Sequence, residues 1–226
     1  MNFLTIIPAR QNSIRIKNKN LRVVKKKPLI YYTIKEAKKS KYLKKIFVST
    51  DSPNIKDISI YYGVSVPFLR NSIYAKKNST MHSVVKEFYK KIKNKYKKKF
   101  KYIVLLQPTS PNRKVLDIDN ACKIMLKNPN ADSLVSTCKI MNDKKINKKK
   151  IMFTDGKYLS YKKKNKFKDA CLRNGPALLI TKISKLNKFL IGGKILNYIM
   201  PNKRSLDIDN HKDLKKFVNS LKSRLF

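Results

Sequence analysis

Short apolar runs alternate along this chain with stretches whose apolar residues recur at helical spacing, and that alternation leaves few architectures open. Phe3 to Ile7 reads as a buried strand closed by Pro8. Pro28 opens a helix with Leu29, Ile30, Thr33, Ile34 and Ala37 along one face. Ile46 to Val48 reads as the next strand, and Ser52-Pro53 starts a helix that Gly63 stops. Val64 to Phe68 is strand-like. The pattern then predicts a Lys-rich helix from Ser79 to about Tyr96, a strand from Tyr102 to Leu106, a helix from Asp117 to Leu126 and a strand from Ser133 to Thr137. A β-α-β-α-β order packs as a mostly parallel sheet with helices on both faces. Between 138 and 170 the order breaks, and Asp155-Gly156 between two short β-like runs predicts a hairpin insertion. Ala177 to Thr181 and Ile195 to Met200 restore strands, and Asp213 to Leu221 closes with a helix. The expectation is one α/β domain over residues 1–226, with the insertion at 138–170.

Charge is the second constraint. Of the 226 residues 55 are Lys or Arg and 13 are Asp or Glu, a formal net charge of +42. Such a chain suits a polyanionic partner: nucleic acid, an acidic membrane surface or a phosphate-rich substrate. The cations, however, divide into 47 Lys and 8 Arg, and Asn (21) and Ile (24) are also abundant. Those three residue types share A/T-rich codons, so base composition accounts for the bias without selection for a partner. Surfaces that read nucleic acid favour Arg and stacking aromatics, which this chain does not cluster. No apolar run reaches the roughly 18 to 20 residues of a membrane span. Three widely spaced cysteines, Cys122, Cys138 and Cys171, form no zinc pattern and fit a reducing cytoplasm.

In open α/β sheets ligands bind beyond the carboxyl ends of the strands, so the segments that follow strands carry the chemistry. After the first strand comes Arg10-Gln-Asn-Ser-Ile-Arg-Ile-Lys-Asn-Lys-Asn20, in which Arg10, Arg15, Lys17 and Lys19 accompany Ser13 and Asn20. A nucleoside triphosphate carries about four negative charges, and such a loop can wrap it with side-chain and backbone donors. It is not a P-loop, because GxxxxGK[ST] is missing. After the strand at 102–106 comes Gln107-Pro-Thr-Ser-Pro111, where two prolines fix the backbone and present Gln107, Thr109 and Ser110 at the sheet edge. Near the end, Arg204-Ser-Leu-Asp-Ile-Asp209 places Asp207 and Asp209 on one face of an extended segment, about 7 Å apart. Such a pair suits Mg²⁺ bridging to phosphate. The other reading is a pair of helix N-caps.

Taken together, these segments resemble the acylneuraminate cytidylyltransferases, the CMP-sialic acid synthetases with their legionaminic and pseudaminic acid relatives. The resemblance rests on Ile7 to Asn20, Lys27-Pro-Leu-Ile-Tyr-Tyr-Thr-Ile34, Val48-Ser-Thr-Asp51, Pro67-Phe-Leu-Arg70, Leu105 to Arg113, Leu172-Arg-Asn-Gly175 and Arg204 to Asp209, in that order over nearly the whole chain. It implies a Rossmann-like nucleotidyltransferase that joins CMP from CTP to the anomeric hydroxyl of a nine-carbon 2-keto sugar acid and releases pyrophosphate. Residue by residue it assigns Arg10, Ser13, Arg15, Lys19, Asn20 and Arg70 to the nucleotide, and Gln107, Arg173 and Asn174 to the sugar acid. Asp207 and Asp209 would hold Mg²⁺; Arg10, Lys19 and Asp209 would be catalytic. It further implies a homodimer whose insertion at 138–170 reaches across to the partner; Tyr158, Tyr161 and Phe167 either approach the partner's site or, the simpler reading, pack in the core or on the surface.

The first loop departs from the family. Gln11 and Asn12 stand where the family has a glycine context, and Ile14 stands where it has a lysine. Glycine lets a backbone approach phosphate without a Cβ, and a lost charge-assisted contact costs about 1.5–3 kcal/mol. The alternative expectation is therefore a decayed fold that binds nucleotide without turnover.

Overall fold

The computed structural model describes residues 2–76, 78–97, 99–140, 150–166, 168–175 and 177–222. Strand β1 (Phe3–Pro8) is buried at every position and is the second strand from one edge of the sheet. Before it in the sheet lies β4 (Ile46–Ser49) and after it β5 (Tyr102–Leu105), both parallel to it. Apolar residues at consecutive positions suit a strand covered on both faces. Phe3 and Ile7 face a cluster with helices α1 (Leu29–Lys38), α2 (Pro53–Tyr61) and α4 (Val115–Lys127). Leu4 and Ile6 face the opposite cluster with α3 (Met81–Tyr96). Residues two apart share a face, so one short run serves two cores.

Local chemistry sets the helix starts. Pro28 precedes α1, the Ser52 hydroxyl accepts from Ile55 N–H ahead of α2, and Thr80 does the same for Ser83 N–H ahead of α3. Gly63 after α2 has φ +75, which is the helix stop expected of it. The run 64–68 forms a single bridge, Ser65 to Phe47, rather than the expected strand.

Beyond β5 the sheet is mixed. Its order is β11-β8-β7-β9-β6-β10-β5-β1-β4, with β11 (Ile195–Ile199) also paired to β6 (Ser133–Cys138). Strand β10 (Leu179–Lys182) enters between β5 and β6 antiparallel to both. The mostly parallel sheet expected from the element order therefore describes the β4-β1-β5 strands and the β6–β11 pair, while the other pairings of this sheet are antiparallel. The cause is β9 (Asp169–Arg173), a strand the element pattern does not reveal: β9 and β10 both run antiparallel along β6, with a bend at Asn174-Gly175 between them. That return needs no crossover helix. The expected hairpin exists as β7 (Ile151–Thr154) and β8 (Tyr158–Ser160), joined through Asp155-Gly156. Tyr158 packs against the core and Tyr161 is exposed. Residues 141–149 of the insertion, and Phe167, lie outside the described residues.

A third cluster binds the ends of the chain together. Leu214 and Phe217 of α5 (His211–Lys222) pack with Ile16, Val24, Leu29 and Ile208. Ile16 belongs to the cationic loop and Ile208 to the acidic segment, so hydrophobic burial draws those two polar stretches to one place. Between them β2 (Val23–Val24) and β3 (Lys27–Pro28) form a small hairpin whose two turn residues, Lys25 (φ 48) and Lys26 (φ 62), are left-handed.

Candidate active site

A cleft of about 420 Å³ opens at the carboxyl ends of β1 and β5. The loop after β1 contributes Arg10, Ser13, Arg15, Lys19 and Asn20 to its wall, and the segment after β5 contributes Gln107 and Thr109. Arg70, Arg173, Asp207 and Asp209 complete the sequence-derived set. Asn174 stands apart. It is 4% exposed, its Oδ1 accepts from Ser136 Oγ at 2.8 Å, and its Nδ2 donates to Ser205 Oγ at 2.9 Å. The structure does not bring Asn174, expected at the sugar acid, into the cleft wall with the others: it joins β6 to the acidic segment. Ser110, expected at the sheet edge, is also buried.

The three chain segments meet at Ile208. Its N–H donates to Thr109 C=O at 2.7 Å, and its C=O accepts from Lys19 Nζ at 2.8 Å. With the Ile208 side chain buried in the third cluster, alternation turns Asp207 and Asp209 toward the cleft. The two aspartates do not cap α5. Asn210 accepts from Asp213 N–H at 3.0 Å, and Asp213 accepts from Asn210 N–H at 3.2 Å, so that reading is excluded. Gly175 explains the close fit on the other side. It has φ +66, and a Cβ there would lie 2.5 Å from Asp207 Oδ2.

Seven basic residues and two carboxylates line the cleft. Four of the chain's 8 arginines are among them, against three of its 47 lysines. A bias arising from base composition would not concentrate the rarer cation at one place. The field inside favours a polyanion. Arg70 is buried yet reaches the wall, its guanidinium donating to Ser49 Oγ at 3.2 Å and Ser49 C=O at 2.5 Å. Burial lowers its pKa, with Asp51 and Glu87 pulling the other way. Burial likewise holds the Lys19 ammonium below the ordinary lysine range, against the pull of Asp209 and Asp207. Arg15 Nη1 lies 3.5 Å from Asp209 Oδ2. The Thr109 hydroxyl is buried without a partner among the described residues.

The altered loop is held by hydrogen bonds at both its ends. Gln11 and Asn12 are absent from the left-handed residues, and Asn18 (φ 51) supplies that conformation instead. Gln11 N–H donates to Asp51 Oδ1 at 3.0 Å, and Asn20 Nδ2 to Arg10 C=O at 2.9 Å, which ties the loop down at both ends. Ile14 is 68% exposed and lines the cleft, so this position offers an alkyl group where a cation was expected.

Lys150, Lys76, Tyr74 and Ser79 also line the cleft and were not legible in the sequence. Lys150 is the important one: its Nζ lies 3.2 Å from Asp207 Oδ2 and 4.0 Å from Asp209 Oδ2. Both carboxylates thus already converge on a single cation. That convergence fits Mg²⁺, which is typically held by one or two carboxylates while substrate phosphate and water supply the other oxygens. Among the described residues no cluster of three or more acidic, His or Cys side chains exists, so the protein alone offers no closed cage.

Two motif arginines do other work. Arg113 is fully buried and donates to Ala177 C=O and to Thr33 Oγ1 at 3.0 Å, locking the segment after β5 onto α1. Complete burial lowers its pKa to about 10, despite Asp117 and Glu36. Arg204 donates from Nε and Nη2 to buried Asp117, each at 2.9 Å. Asp117 also accepts from Tyr198 OH at 3.1 Å.

A sequence model of the family described as Cytidylyltransferase matches residues 4–170. The chain is 42% identical over 125 residues to the CMP-N,N'-diacetyllegionaminic acid synthase of Legionella pneumophila, covering 55% of this chain and 53% of that protein. It is 30% identical over 218 residues to the N-acylneuraminate cytidylyltransferase of Escherichia coli, covering 94% of this chain and 50% of that protein. The matches thus span about half the length of these two relatives. Among solved structures, a CMP:2-keto-3-deoxy-manno-octonic acid synthetase complexed with CTP superposes with a TM-score of 0.77 at 15% identity, covering 99% of this chain and 100% of that one. At that identity the likeness shows the fold alone, an α/β architecture.

Proposed function

The chain belongs to the cytidylyltransferase family, and from that premise we propose that it transfers CMP from CTP to the anomeric hydroxyl of a nine-carbon 2-keto sugar acid of the sialic, legionaminic or pseudaminic type. The hydroxyl oxygen bonds to the α-phosphorus, the bond from that phosphorus to the β-phosphate oxygen breaks, and pyrophosphate leaves. The product is a CMP-sugar for surface glycan synthesis. The observation that carries this reading is the concentration of Arg10, Arg15, Arg70 and Arg173 around one cleft that also holds Asp207 and Asp209.

Nucleotidyl transfer asks a protein mainly to position groups and offset charge. Arg10, Ser13, Arg15, Lys19, Asn20 and Arg70 take the triphosphate and its nucleoside. Arg10 and Lys19 meet the charge that develops on the leaving pyrophosphate. Gln107 and Arg173 face the sugar acid, the guanidinium pairing with its carboxylate. Asp207 and Asp209 would hold Mg²⁺. When bound, that ion offsets charge at the α-phosphate and lowers the pKa of a coordinated hydroxyl. The loop is anchored by Gln11 N–H to Asp51 and Asn20 to Arg10, so its altered residues leave it an ordered wall for the nucleotide.

We assign the β7–β8 hairpin to a homodimer contact, supported by the exposed apolar side chains Tyr161 and Ile199 near it. Three free thiols and a CTP substrate fit a cytoplasmic location. No described helix is long and apolar enough to cross a membrane. The reading is tested by pyrophosphate release from each of the four nucleoside triphosphates with each of the three sugar acids and Mg²⁺. Turnover with CTP alone among the nucleotides is expected; no turnover with any sugar acid by a folded sample would overturn it.

A further inference from the structure

Lys150 does something the proposed reaction does not ask of it. Its ammonium sits against both carboxylates of the acidic pair, 3.2 Å from Asp207 Oδ2 and 4.0 Å from Asp209 Oδ2. The same Oδ2 of Asp207 faces Gly175, where even a Cβ would come within 2.5 Å. Room around that oxygen is therefore limited on the Gly175 side, and the lysine approaches it from the cleft. Mg²⁺ binds carboxylate oxygens at about 2.0–2.1 Å. A dication on these oxygens would face the ammonium at about 5 Å or less, where like charges repel in a half-buried site. Arg15 does not compete in the same way, because it touches Asp209 alone and points from an exposed position.

We infer that Lys150 is the resident counter-ion of the acidic pair, so that a divalent cation enters only in exchange for its ammonium. The inference rests on the reading of Asp207 and Asp209 as metal ligands. Exchange leaves the ammonium without a partner in a cleft already rich in cations, and that is costly. An incoming triphosphate supplies the missing negative charge. Metal and nucleotide therefore bind cooperatively: each raises the affinity of the other, by linkage through one lysine. Lys150 is on this account a positioning residue that keeps the empty protein from holding metal without nucleotide.

The test is a titration of the full chain with Mn²⁺, read by electron paramagnetic resonance with and without CTP, in the absence of sugar acid. Without CTP, Lys150→Met is expected to bind Mn²⁺ about tenfold or more tightly than the wild type. Lys150→Arg keeps the charge and stays near the wild-type value, which a merely structural role would not predict. Lys150→Gln is a second neutral variant should Met disturb the hairpin. Equal Mn²⁺ affinity of the wild type and both neutral variants without CTP overturns the inference. Asp209→Asn separates this from the reading beneath it. If Asp209→Asn loses the Mn²⁺ that the wild type binds with CTP while Lys150 variants change nothing, the metal site stands and the exchange falls. If Asp209→Asn changes nothing either, both fall.

Discussion

Two knots of opposite charge lie a few residues apart in this protein and behave differently. In the cleft, Arg15 meets Asp209 at 3.5 Å and Lys150 meets Asp207 at 3.2 Å, with side chains that remain partly open to solvent. Behind it, Arg204 grips Asp117 through two 2.9 Å bonds, and Asp117 is wholly buried. Arg204 and Asp209 belong to the same six-residue motif, so proximity in sequence does not separate them. Satisfaction does. Asp117 has its valences filled by Arg204, Tyr198 and the N–H of Lys114. The cleft charges are loosely paired single contacts that a ligand can replace. A charge whose partners are complete holds shape; a charge whose partners are incomplete is available for binding.

That contrast breaks if substitutions on the two sides have the same signature. Arg204→Ala strands a buried carboxylate and is expected to lower the unfolding free energy by about 3–5 kcal/mol, measured by urea titration; an unchanged midpoint would put Arg204 with the cleft residues. Asp209→Asn is the matched change in the cleft. It should shift stability by no more than about 0.5 kcal/mol while pyrophosphate release falls roughly 10²- to 10³-fold. Arg10→Ala removes one charge-assisted contact, and kcat/KM for CTP should fall about ten- to a hundredfold. Lys19 sharpens the comparison through pH. Its pKa is lowered by burial, so its charge is lost at a pH below that of an ordinary lysine, and kcat/KM for CTP should decline as pH rises through that value. Lys19→Arg keeps the charge and should move this alkaline limb upward, seen in a pH–rate profile. The smallest effect concerns charge with no electrostatic task. Lys25 and Lys26 hold φ 48 and φ 62 in the β2–β3 turn, a geometry that Asn-Gly adopts without strain. Lys25→Asn with Lys26→Gly should stabilise the fold by about 1 kcal/mol, read as a higher melting temperature.

Much of this was legible in the chain. The runs at 3–7, 46–48 and 102–106 read as buried strands because they are consecutive, short and rich in β-branched and aromatic residues, too brief for a buried helix. The carboxyl-end rule then pointed at the cationic loop and Gln107, alternation at the acidic pair, and the resemblance at Arg70 and Arg173. Misreadings came where local sequence carries little contrast. The stretch 64–68 has strand composition but finds only one bridge partner. Strand β9 reads as polar because, although paired on both sides by β6 and β7, it has Cys171 as its one buried side chain. Lys150 could not be singled out, since one lysine among 47 gives no signal until a fold sets it beside two aspartates.

The sequence by itself determined the order of elements, the two-faced strands and the small set of loops in which chemistry could reside, because periodicity and burial are local demands on each segment. Tertiary structure decided which charges in those loops are free. Whether Arg113, Arg204 or Asn174 faces a ligand or a partner side chain depends on contacts 26 to 87 residues away along the chain, and only packing around Ile16 and Ile208 brings the cationic loop against Asp207 and Asp209. Desolvation and pairing are properties of a place in space, and the chain acquires them on folding.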